Sequence, residues 1–276
     1  MGKLTSAIRL LAGLVASLIL VLMAVGVLQR PETHLPPGAP GTQIVIAGVP
    51  IRYAQVGRGP DVLLLHGSPG SLEDWAPIVD RLSDRFRVTA FDRPGHGYSG
   101  GSDIPHTPDA NARIAHELIR TLRLQNVVLV GHSYGGITGL ALATRNPEEA
   151  RAFVLVASRA YGPVVVAPLF RALSVPWLGA GLAAVVGPAI GPGQIEAGIR
   201  ASFGPNAALI PPGFIAERTK MWNRPTVTTT LSQERVTLEG ALNAMSGHYR
   251  EIGKPVFVVC GDRDERNYQD AQRLAG

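Results

Sequence analysis

Cysteine is almost absent: Cys260 stands alone in 276 residues. That excludes an intramolecular disulfide framework and leaves the redox compartment open. Charge is sparse at 17% of residues, and aromatic side chains make up only 6%. There is no run of like charge, no basic stretch interleaved with aromatics, no repeat and no low-complexity tract, and the net charge of +5 comes mostly from arginines scattered singly. These absences exclude a solenoid or a disordered chain and leave nucleic-acid binding without an electrostatic footprint. What is present is apolar: 46% hydrophobic residues can supply a sizeable core. Within it Cys260, in an apolar run, is expected as a buried inert thiol.

The longest uncharged run, Leu10 to Leu28, would form a helix roughly 28 Å long at about 1.5 Å per residue, close to the hydrocarbon thickness of a bilayer. Ala24 and Gly26 offer a weak site for signal-peptide cleavage, but the apolar stretch is longer than a signal peptide needs. Residues 1–30 are therefore expected to be an uncleaved signal anchor. Lys3 and Arg9 precede the run and Arg30 follows it, so the positive-inside rule leaves the N-terminus cytoplasmic. The expected localisation is a single-pass cell-membrane protein with its globular domain on the outer or periplasmic side. Residues 31–41, with Pro36, Pro37 and Pro40, suit an extended spacer.

From Thr42 onward, β-branched residues around Gly48 and Pro50 predict a two-strand hairpin over Thr42–Ala47 and Ile51–Val56. Apolar runs at Asp61–Leu65, Phe86–Phe91, Asn126–Val130 and Ala152–Ala157 alternate with helical patterns through Trp75–Leu82, Ala110–Leu122 and Gly135–Ala143. Such alternation predicts an α/β fold with a mostly parallel sheet, helices on both faces and the hairpin as its antiparallel edge. The alternation lapses between Ser158 and Tyr249 and returns at Pro255–Cys260. The domain reading is a core over 42–158, a helical cap insertion over 159–249 and the rest of the core over 250–276. Ala172–Ile190 is uncharged, yet Pro176, Pro188 and several glycines are expected to interrupt it. It is expected as cap helices whose apolar faces line the substrate entrance or dip into the bilayer surface.

The chemistry centres on Gly131-His132-Ser133-Tyr134-Gly135, a G-x-S-x-G motif between an apolar strand and a helix, where a strained turn presents a serine nucleophile. Glycines at the flanks let strand and helix pass closely. The backbone N–H of Tyr134, at the helix N-terminus, suits an oxyanion donor, and the loop after the third strand offers Ser68 N–H as the second.

His66-Gly67-Ser68-Pro69-Gly70, Asp92-Arg93-Pro94-Gly95-His96-Gly97-Tyr98-Ser99 and Gly131-His132-Ser133-Tyr134-Gly135-Gly136, in that order, resemble the α/β-hydrolase superfamily. The resemblance is to its capped branch of esterases, lipases, epoxide hydrolases, haloalkane dehalogenases and carbon-carbon bond hydrolases. It covers about Thr42 to Gly276 and implies no metal or organic cofactor. Dehalogenases and epoxide hydrolases place an aspartate where this chain has Ser133, so the serine implies an acyl-enzyme route. The resemblance also implies a triad acid after the seventh strand: Asp264, with Asp262 as the runner-up, whose plain role would be that of a turn residue.

A departure from the pattern follows. Chain order should run serine, acid, histidine, and no histidine follows Asp264. His34 falls in the spacer, His106 and His116 fall at the helix before the nucleophile strand, and His66, His96 and His132 fall within the motifs. His248 is the sole speculative substitute. The last strand, base and closing helix are expected to be missing through truncation. The expected function is carboxylic-ester hydrolysis of a small to medium apolar acyl substrate. The alternatives are a carbon-carbon bond hydrolase and a membrane-tethered binding protein without catalysis; the oligomeric state is open.

Overall fold

A computed structural model describes residues 2–101 and 104–275, and the chain divides into two compact units, Pro31–Val166 with Glu234–Gly276 and Met1–Arg30 with Ala167–Gln233. The first holds a seven-stranded sheet of β1 (Thr42–Ile46), β2 (Val49–Val56), β3 (Asp61–Leu65), β4 (Arg87–Phe91), β5 (Val127–His132), β6 (Ala150–Val156) and β7 (Val256–Val259). Their spatial order is β1-β2-β4-β3-β5-β6-β7. The hairpin β1–β2 is the antiparallel edge, β2 runs antiparallel to β4, and all other neighbours are parallel.

Period-two alternation sends β3 side chains to both faces. Leu63 and Leu65 join a cluster with Leu118, Leu129, Leu140 and Phe153, whereas Val62 and Leu64 pack with Leu72, Trp75, Val88 and Ala90. The helices behind this are α2 (Ala76–Ser83) on one side, with α3 (Pro108–Thr121) and α4 (Tyr134–Arg145) on the other. Each fully buried leucine stabilises the fold by about 1.5–3 kcal/mol relative to exposure. At the start of α3, Thr107 Oγ1 accepts from Ala110 N at 3.2 Å. Pro108 occupies the first turn, where a missing N–H costs nothing.

β7 is the other edge, and its side chains alternate between half-buried and exposed. Phe257 is 58% and Val259 53% exposed, and Cys260 beside them is only partly buried. The expectation of a buried thiol was therefore wrong: an edge strand covers its residues on fewer sides than an interior one. α9 (Glu265–Ala275) is fixed by Asp270, which accepts from Arg159 Nε at 2.8 Å, Ala160 N at 2.9 Å and Tyr161 N at 3.2 Å. Residues of the proline-rich stretch are tied to this unit as well: Gln43 Nε2 donates to Thr33 O at 2.5 Å and Arg52 Nε to Pro40 O at 3.0 Å.

The second unit holds α1 (Gly2–Leu28), α5 (Pro168–Leu173), α6 (Leu178–Phe203), α7 (Phe214–Trp222) and the start of α8 (Pro225–Ser246), whose later turns belong to the first unit. Pro188 was expected to interrupt its segment, but both Pro188 and Pro192 lie inside α6. Each proline costs the helix the bond that Ala184 O or Pro188 O would otherwise accept, while a contact from the end of α7, Asn223 Nδ2 donating to Gly187 O at 3.1 Å, helps hold the segment in place.

Candidate active site

Ser133 sits between β5 and α4 with φ 50° and ψ −116°, a region that costs a non-glycine residue about 1–3 kcal/mol. The surroundings over-determine it. Ser133 N donates to Val156 O at 2.9 Å, while Ser133 O accepts from Gly136 N at 3.0 Å and from Ser158 Oγ at 3.0 Å. Glycine is required on both sides. A Cβ on Gly131 would lie 2.3 Å from Gly135 O, and one on Gly135 would lie 2.2 Å from Leu65 O. The half-buried serine is thereby raised at the carboxyl edge of the sheet.

The first motif loop closes against this turn. A Cβ on Gly67 would stand 3.3 Å from Ser133 Cβ and 3.0 Å from His132 Nδ1. The predicted Gly67-Ser68 loop and the predicted nucleophile are therefore adjacent. Tyr134 opens α4, so its N–H has no partner one turn back along the helix and is free to serve an oxyanion. Its side chain points elsewhere, buried with its ring 4.6 Å from the Arg93 guanidinium carbon.

Arg93 is the hub beneath the loop. Its Nε donates to His66 O at 3.1 Å, its Nη2 to Gly67 O at 2.8 Å and its Nη1 to Asn111 Oδ1 at 3.2 Å and to Glu234. Glu234 also meets His96 Nε2 at 3.2 Å, and all three ionisable side chains are fully buried. Burial alone would raise the Glu234 carboxyl, but Arg93 and His96 hold it far below the ordinary carboxylate range. His96 is pushed down by burial and by Arg93, against the pull of Glu234. The sequence reading missed Glu234 and gave Arg93 no role. Gln233-Glu234-Arg235 carries only the polarity of a solvated helix face, so no local signal was there to find.

A second buried arginine fixes the middle motif. Arg52 pairs with Glu73 and with Asp92 Oδ2 at 3.1 Å, and Asp92 also accepts from Leu72 N at 2.7 Å and Tyr98 N at 2.8 Å. The Asp92 carboxyl is raised from 3.8 to about 6 by burial first, with Glu73 adding and Arg52 opposing. An acid whose folded pKa exceeds its unfolded value makes the folded state the better proton binder between the two. The Asp92 contribution to stability thus declines as pH rises from 3.8 to about 6. Urea midpoints of wild type should fall across that interval relative to those of Asp92→Asn; a constant difference would mean that Asp92 is ionised throughout.

Histidine placement is unambiguous for several rings. His66 Nε2 accepts from Arg93 N at 2.8 Å, which leaves Nδ1 to donate to Gly67 O at 2.7 Å. Both nitrogens are thus committed, and burial, then Arg93 and His96, push its pKa well down. His116 pairs with Glu149 at 3.1 Å, and His34 is exposed. His248, the speculative substitute base, is exposed and pairs with Glu251 at 3.0 Å. Among the described residues, no histidine bonds Ser133 Oγ. Asp264 is half-buried beyond β7, its Oδ1 accepting from Asn267 N at 3.4 Å and its Oδ2 from Asn267 Nδ2 at 2.6 Å. Asp262 is exposed. Backbone bonds from Ala157 N to Val259 O at 2.7 Å and from Ser133 N to Val156 O at 2.9 Å show that β5, β6 and β7 end at one sheet edge.

Residues 60–274 match the family model described as alpha/beta hydrolase fold. A 2-hydroxy-6-oxo-6-(2'-aminophenyl)hexa-2,4-dienoic acid hydrolase of Metapseudomonas resinovorans is 35% identical over 40% of this chain and 40% of its own length. A haloalkane dehalogenase of Agrobacterium fabrum is 34% identical over 45% and 41%. The human serine hydrolase BPHL is 35% identical over 48% and 50%. The chain thus spans two fifths to one half of the length of these curated relatives. In fold it is similar to the solved epoxide hydrolase CorEH, with TM-score 0.71 at 19% identity over 84% of this chain and 86% of that one. It is similar as well to an enol-lactonase from Burkholderia xenovorans, with TM-score 0.64 at 22% identity over 84% and 87%.

Proposed function

Because the chain belongs to the alpha/beta hydrolase fold family, we propose that the whole protein is a membrane-anchored serine hydrolase. It cleaves a carboxylic ester with a small to medium apolar acyl group through an acyl-enzyme on Ser133. The observation that carries this reading is the strained Ser133 turn with the Gly67-Ser68 loop closed against it. Ser133 Oγ attacks the ester carbonyl, the carbonyl oxygen becomes an oxyanion held by the N–H groups of Tyr134 and Ser68, and the alcohol leaves. Water then attacks the acyl carbon, releases the acid and restores the serine. Asp264 is the proposed acid that orients the base. The base itself has no counterpart among the described residues in contact with Ser133.

A second reading, hydrolysis of the carbon-carbon bond of a vinylogous diketone, is favoured by the likeness to the dienoic acid hydrolase. The serine machinery would be the same and the leaving group a carbon acid.

Fluorophosphonate labelling of the natural gene product in membranes tests the shared claim, because the probe phosphonylates an activated serine. An adduct is expected on wild type and none on Ser133→Ala. No Ser133-dependent adduct would overturn the enzyme reading and leave a tethered binding protein. Turnover of 4-nitrophenyl butyrate against that of a 2-hydroxy-6-oxo-dienoic acid then separates the two bond types.

A further inference from the structure

α1 leaves its apolar surface uncovered: Leu10 is 68%, Leu14 61% and Leu18 58% exposed. Only its last two turns are packed, and there the contact is backbone on backbone. A Cβ on Gly26 would lie 1.7 Å from Trp177 O, and one on Gly181 would lie 1.8 Å from Leu22 O. Moving four residues back along α1, from Gly26 to Leu22, matches moving four forward along the start of α6, from Trp177 to Gly181, so the two helices run in opposite senses where they touch. Glycine at both crossings removes the side chains that would hold the helices apart. The corner between α5 and α6 is equally tight, with a Cβ on Gly179 falling 2.0 Å from Leu173 O. The corner therefore has a fixed height relative to α1.

That height can be read from the helix rise. Leu22 and Gly26 lie about 9 Å and 3 Å before the end of α1 at Leu28, at about 1.5 Å per residue. Resting on the proposed anchor, Leu28 marks the outer limit of the hydrocarbon. Trp177 and Gly181 then sit just inside it, at the depth where indole rings anchor and where interfacial helices bury an apolar face about 5–10 Å deep. The exposed side chains of the corner agree: Leu169 is 47%, Val175 44% and Trp177 57% exposed. Between Leu169 and Ile195 the only charged residue is Arg171, an exposed arginine that can extend its head group to lipid phosphates.

We infer that the α5–α6 corner, from Leu169 to Gly181, is a second membrane-contacting element, seated in the interfacial layer of the same bilayer leaflet that α1 reaches at Leu28. Its partner is the lipid surface itself. The element dips into the leaflet without crossing it.

Depth-resolved quenching on the full chain tests this. Cys260→Ser removes the native thiol, and single cysteines replace Val175 in the corner, Leu18 in the anchor and Arg58, which is exposed in the sheet unit. Each carries an environment-sensitive nitrobenzoxadiazole label. The protein is reconstituted in vesicles of equal parts phosphatidylcholine and phosphatidylglycerol, with nitroxides placed near the head or at the end of the acyl chain. The Val175 label should show severalfold higher emission than the Arg58 label and should be quenched more by the shallow nitroxide than by the deep one. The Leu18 label should favour the deep nitroxide. Val175 behaving like Arg58 while Leu18 is quenched overturns the inference and leaves the anchor standing. Val175 quenched as deeply as Leu18 overturns the interfacial placement. Leu18 unquenched overturns the anchor, and the inference with it.

Discussion

Glu234→Ala is expected to lower the unfolding free energy by about 3–5 kcal/mol, the cost of removing one member of a buried ion pair. The cation it leaves cannot escape. Arg93 is fully buried and its guanidinium does not deprotonate in proteins. Nor can it turn toward solvent without abandoning His66 O and Gly67 O, the carbonyls it holds at 3.1 Å and 2.8 Å. His96 does not compensate, since an imidazole offers no negative charge in either protonation state. Glu234→Gln keeps the shape and a hydrogen-bond acceptor but removes the charge, so its loss should be smaller. Denaturant midpoints from circular dichroism rank the three proteins. A Glu234→Ala value within about 1 kcal/mol of wild type would place Arg93 in contact with water.

The part of the architecture that repeats locally was legible in the sequence. Asp61–Leu65 is apolar enough to be buried on both faces, and β3 has those bounds and the central position they imply. Gly131, Ser133 and Gly135 announce a turn because only that backbone needs glycine at both flanks. The two ionic hubs were not legible. Arg93 and Glu234 are far apart in sequence, as are Arg52 and Asp92, and no periodicity relates them. A charged residue inside a motif loop looks the same whether its partner is water or a buried carboxylate. α6 was misread because a proline rule states the local cost of a missing N–H and cannot report a tertiary contact that helps hold the helix, as where the Asn223 amide at the end of α7 reaches Gly187 O.

Gly135→Ala should cost about 3 kcal/mol, the upper end of what overpacking inflicts, and it should abolish fluorophosphonate labelling although every proposed catalytic side chain remains. The added Cβ would stand 2.2 Å from Leu65 O and 2.6 Å from His66 O. Neither oxygen can yield easily: Leu65 belongs to a strand paired on both sides, and His66 O is held by Arg93. α4 must therefore move, carrying Ser133 and the Tyr134 N–H away from the Gly67-Ser68 loop and opening the oxyanion site. Gly139→Ala is the control on the same helix. Its Cβ would meet the ends of Leu129 and Leu155 side chains, at 2.9 Å and 3.8 Å, which can rotate. The helix gains about 1 kcal/mol from replacing glycine by alanine, so that variant should stay near wild type in stability and keep its labelling. Equal losses in both variants would mean that α4 tolerates no added volume anywhere. Loss confined to Gly135→Ala would locate the sensitivity where the nucleophile turn and the oxyanion loop press backbone against backbone.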